Sequence, residues 1–114
     1  MSERDHRLFL NDIIESIEKI EEYTSGLNFE DFVNNRMVID AVIRNIEIIG
    51  EATANIPDEI RKKYPMVPWQ KMKSMRNIVV HEYFGVNLKT TWKTIKNSLP
   101  KLRKEIAKTI KKEK

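Results

Sequence analysis

The chain has 114 residues and no cysteine. Disulfides, thiol nucleophiles and cysteine-ligated zinc are excluded, and a reducing cytoplasm is the natural compartment. Glycine (three residues) and proline (four) are scarce, so few positions can interrupt a helix. The only histidines, His6 and His81, lie far apart in sequence with no HxxxH or HxxE pairing. A metalloenzyme is therefore poorly supported, and no cofactor is expected. No stretch approaches about 18 uninterrupted apolar residues, so no membrane span is expected. The opening "MSERDHRLFL" lacks the apolar run of a secretory signal.

What is present suits one soluble domain covering residues 1–114. Charged residues make up 33% and hydrophobic residues 40%, enough apolar matter for one core. The formal charge of +4 is unevenly spread. Residues 101–114 hold seven Lys or Arg against two Glu, a net +5 that leaves the rest of the chain at −1. Such a basic helix end attracts nucleic acid or another anionic surface, or is simply a solvated end complementing the helix dipole. The sequence leaves both readings open.

The apolar spacing predicts an all-α fold, an antiparallel bundle of about five helices with short connections. A first helix runs from about Arg4 to Thr24, with Leu8, Ile13, Ile14, Ile17 and Ile20 on its stripe, and Ser25-Gly26 ends it. Asn28 caps a short turn, "FEDFVNN". A second long helix spans about Arg36 to Asn55, despite Gly50 within it. "IPDEIRKKYP" is a short helix opened by Pro57 and closed before Pro65. Another begins near Pro68 and reaches Phe84, with Gly85 as its stop. Asn87 caps a last helix to about Lys111, which Pro100 should kink.

Two polar clusters interrupt these helices. Asp40, Arg44, Glu47 and Glu51, spaced 4, 3 and 4 apart, share one face of the second long helix. They form either a solvent-facing ladder of pairs or a stripe that orients a group on a neighbouring helix. The second cluster is "RNIVVHEYF", Arg76 to Phe84. On a helical wheel Arg76 and Tyr83 lie roughly 20° apart, whereas His81 is about 140° from Arg76 and about 160° from Tyr83. Asn77 and His81 form an i,i+4 pair. One straight helix cannot converge Arg76, His81 and Tyr83 on a point. Taken alone, the stretch is compatible with a part-exposed histidine, a helix-end tyrosine and a snorkelling arginine.

The wider context points further. "MRNIVVHEY" has the RxxxxHxY pattern of the HEPN ribonuclease superfamily, with a polar residue directly after the arginine. "AVIRNIEIIGEA", "IPDEIRKKYPMVPWQKM" and "TWKTIKNSLPKL" are similar to its HepT-like branch, the toxin half of HepT/MntA toxin–antitoxin pairs. The likeness covers about Ala41 to Leu102; the N-terminal third matches only as a helix of suitable length. The resemblance implies a HEPN-like bundle and a metal-independent endoribonuclease that forms a homodimer with its motif helices meeting across the interface. Arg76 and His81 would then be catalytic and Asn77 and Tyr83 supporting. An MntA-like nucleotidyltransferase antitoxin would place AMP on Tyr83, and the RNA target would be a tRNA or mRNA. Two other readings stay open: a catalytically weak adaptor for a nucleotidyltransferase, and a dimeric module that binds nucleic acid without cleaving it.

Overall fold

A computed structural model describes residues 5–82 and 87–114, with side chains given for all of these except residues 76–82. Among the described residues the chain is helical, without a strand. Helix α1 spans His6–Thr24, α2 Phe29–Val33, α3 Arg36–Ala54, α4 Asp58–Lys63, α5 Trp69–Glu82, α6 Leu88–Lys93 and α7 Leu99–Lys112.

The local chemistry explains the boundaries. The Asp5 carboxylate accepts from the Arg7 amide at 2.9 Å and opens α1. Gly26, at φ +78°, turns the chain after it, a conformation that L side chains resist. Asn28 and Asp31 form a reciprocal capping box on α2, so the expected turn is a five-residue helix. Asn35 and Asn87 cap α3 and α6 by accepting from the amides three residues on, both at 3.1 Å. Gly50 does not interrupt α3.

The last helix departs from expectation in form. Instead of one kinked helix from Asn87, α6 and α7 are joined by a π-helical turn, Thr94–Ser98. Pro100, in the first turn of α7, cannot donate to the carbonyl four residues back, and its ring crowds that carbonyl. The widened turn lies where this strain falls, so the helix continues through it.

Connections of two to five residues fold α1 to α5 back on one another. Helix α3 packs between α1 and α5, and α7 closes over α1. Their apolar stripes meet in one core that includes Leu10, Ile17, Val42, Ile49, Met72 and Ile106. Phe32 of α2 is fully buried, with its ring centroid 5.1 Å from that of Trp92.

The two ends of the chain are tied together by one carboxylate. Glu113 accepts from Lys63 Nζ at 2.8 Å and from the Tyr64 hydroxyl, and its other oxygen pairs with His6 Nε2 at 2.9 Å. These partners, Lys63 foremost, hold its carboxyl down at about 2, while Glu113 in turn raises the Tyr64 phenol. This joins the start of α1, the end of α4 and the end of α7. No helix among the described residues is long and apolar enough to cross a membrane.

Candidate functional site

Helix α5 carries the motif, and its position is set from its N-terminus. Trp69 is buried, and its indole N–H donates to the Tyr64 carbonyl at 2.9 Å. Met72 is fully buried and Met75 nearly so, and this stripe seats α5 against α3. The helix then runs unbroken from Met75 through Arg76, Asn77 and His81 to Glu82.

Arg76, Asn77 and His81 are thus register positions on a regular helix, with their side chains outside the described residues; Tyr83 lies outside them altogether. The α-helical backbone keeps the wheel relation: Arg76 and His81 are roughly 140° apart and about 7.5 Å apart along the axis. A helix break between them would have relieved that separation, and there is none.

The stripe on α3 takes a clear place. Asp40, Arg44 and Glu51 are exposed and Glu47 is partly so, opposite the buried Val42, Ile46 and Ile49. Arg36 pairs with Asp40 at 3.7 Å, and Arg44 with Glu47 at 3.4 Å. These are solvent-facing pairs worth a few tenths of a kcal/mol each. Within one protomer the stripe meets no described group on another helix.

Sequence reasoning passed over the polar residues in the core, one of which lacks a full set of partners among the described residues. The buried threonines 24, 53 and 109 satisfy their hydroxyls on the carbonyls four residues back, at 2.7–2.9 Å. Asn45 also donates backward, to the Ala41 carbonyl at 2.8 Å, but its Oδ1 is buried without a donor among the described residues. The available signal was an amide beside Ile46 on an apolar face.

The other feature passed over is a groove of about 290 Å³ between the start of α5 and the α6–α7 segment. Met72, Met75 and Leu102 contribute its apolar lining; Lys71, Lys101, Glu105, Asn97 and Ser98 contribute the polar part. Asn97 and Ser98 come from the π turn, so the Pro100 irregularity was the sequence signal for it.

Comparison with known proteins places the chain in context. The family model "Ribonuclease HepT-like" matches residues 13–109. The "Probable ribonuclease HepT" of Thermococcus cleftensis is 46% identical over 88% of this chain and 91% of its own. "Putative RNase MJ1380" of Methanocaldococcus jannaschii is 45% identical over 93% of this chain and 97% of its own. "Gamma-glutamylcyclotransferase and putative RNase MJ0434" of the same organism is 49% identical over 94% of this chain, which spans only 48% of that relative. No solved structure matches.

Proposed function

The chain belongs to the HepT-like ribonuclease family, and from that premise we propose that it is a metal-independent endoribonuclease, the toxin of a type VII toxin–antitoxin pair. The observation that carries this is the R-x₄-H-x-Y pattern of Arg76, His81 and Tyr83, whose first two members stand on an unbroken helix. Because they lie on different sides of that helix, the working site is a cleft between two protomers, each contributing Arg76 and His81.

The chemistry needs no added nucleophile. The 2′-hydroxyl of RNA attacks the adjacent phosphorus, its O–P bond forms, and the bond to the 5′-oxygen breaks. His81 takes the hydroxyl proton; an imidazole with a reference pKa near about 6.5 suits this at neutral pH. The leaving 5′-oxygen takes a proton from His81 of the partner subunit. Arg76, permanently cationic and forked, binds two phosphate oxygens as charge builds on them. Asn77 orients His81 or the phosphate, and Tyr83 supports RNA binding. The products end in a 2′,3′-cyclic phosphate.

Silencing follows from the same geometry. A nucleotidyltransferase antitoxin transfers AMP from ATP to the Tyr83 hydroxyl: the phenolic oxygen bonds the α-phosphorus and pyrophosphate leaves. The bulk and negative charge then occupy the phosphate clamp beside Arg76 and His81.

Chelation tests the metal-independent step. With excess EDTA, cleavage of a single-stranded RNA is expected to continue at an unchanged rate and to yield cyclic-phosphate ends. Loss of cleavage on chelation, restored by a divalent cation, contradicts the mechanism.

A further inference from the structure

The groove between α5 and α7 is a concave surface built from described residues, with a lysine on each edge. Lys71 and Lys101 stand exposed on opposite helices, and neither has an ion-pair partner among the described residues. The one acidic group in the lining, Glu105, is already engaged by Lys108 at 3.6 Å. A smaller hollow of about 140 Å³ shares Met66 and Glu105 with it and continues along α7 past Lys108 to Lys112. The two together make a channel edged by lysines over an apolar floor. Met66, 81% exposed, stands where they meet.

We infer that this channel holds a single strand of the RNA substrate beside the cleavage site. The inference rests on the ribonuclease reading above. Lysines on both edges suit successive phosphates. The soft thioethers of Met66 and Met75 suit the face of an unpaired base. Asn97 and Ser98 offer the amide and hydroxyl that a base edge needs. The volume lies at the small end of ligand clefts, which run roughly 300–1,000 Å³, so it takes a base and its sugar rather than a duplex. Lys71 is five residues before Arg76, so a strand in the channel reaches the motif within about one and a half turns of α5. A second copy of the chain is a poorer occupant, because a two-fold interface would set this lysine-edged surface against itself.

The test uses the full chain with His81→Ala, to prevent cleavage, and a fluorescent single-stranded RNA. Its dissociation constant is measured over a range of salt concentrations. Lys71→Ala with Lys101→Ala is expected to weaken binding at least about tenfold at low salt. It should also reduce the log–log salt slope by about 1.4, at roughly 0.7 per phosphate lost from a single strand. Met66→Ala should weaken binding with the slope unchanged, because it removes a base contact and no charge. Lys19→Ala with Arg36→Ala removes the same charge from α1 and α3 and should have little effect. Equal losses from the two double variants would show that only net charge matters and would overturn the inference. So would unchanged RNA affinity, including the case where the Lys71/Lys101 variant alters the oligomeric mass instead. Failure of the ribonuclease reading looks different: the chain with His81 intact then binds RNA in the channel and does not cleave it.

Discussion

Replacing His81 by alanine is expected to lower the rate of RNA cleavage by about 10²–10⁴-fold, the usual worth of a positioned acid–base group. If each protomer supplies one such group, the loss falls toward the upper end, since a His81→Ala homodimer lacks both. RNA binding should survive, because the proposed phosphate attraction resides in Arg76 and the lysines rather than in His81. The pH–rate profile separates this role from a structural one. The native protein should show the limbs of an acid and a base; the variant's residual activity should lose them. Added imidazole should restore part of the rate. Arg76→Ala should lose about 10²–10³-fold, and Arg76→Lys should recover little, because an ammonium keeps the charge without the fork. Near-native cleavage by His81→Ala would remove the residue from the chemistry.

Tyr83→Phe is expected to divide cleavage from control. The phenyl ring keeps its stacking surface, so cleavage should stay within about tenfold of native. The hydroxyl proposed to accept AMP is gone, so incubation with ATP and the proposed nucleotidyltransferase partner should add no AMP mass, whereas the native chain should gain one or more units. Cells carrying both proteins should tolerate the native chain and not the variant. AMP found on the Tyr83→Phe chain would move the modification elsewhere. Silencing of the variant without any added mass would mean that the partner acts by binding alone.

How much of this was legible in the sequence follows from the length of each physical signal. Helices α1 and α3 are long and regularly striped, and Asn28 and Asn87 are strong caps, so the bundle could be read from one chain. Pro100 announced an irregularity without its form: a kink and a π turn answer the same missing N–H, and packing chooses between them. The Glu113 cluster was illegible, because His6, Lys63 and Tyr64 meet it only through the fold. The same holds for the groove, whose walls come from segments some 25 residues apart. The basic segment 101–114 was ambiguous between a solvated end and a binding surface. The structure shows Lys101, Lys108 and Lys112 edging a channel, which the wheel alone could not reveal without knowing that Met66 lies opposite. The motif itself was legible as a pattern and as a geometric puzzle, since the separation of Arg76 and His81 follows from helical periodicity alone.

That separation is also where the account is most exposed. Co-expressing Arg76→Ala and His81→Ala chains with different affinity tags, then purifying on both, isolates the mixed dimer. In it no chain has both residues, and in the proposed composite cleft Arg76 of one protomer would face His81 of the other. A site built across the interface predicts that the mixed dimer, which keeps one Arg76 and one His81 in the shared cleft, cleaves RNA faster than either parent homodimer, though below the native rate because the second His81 is missing. Cleavage no faster than the parents, from a dimer of the correct mass, would contradict a composite site and return the chemistry to a single chain.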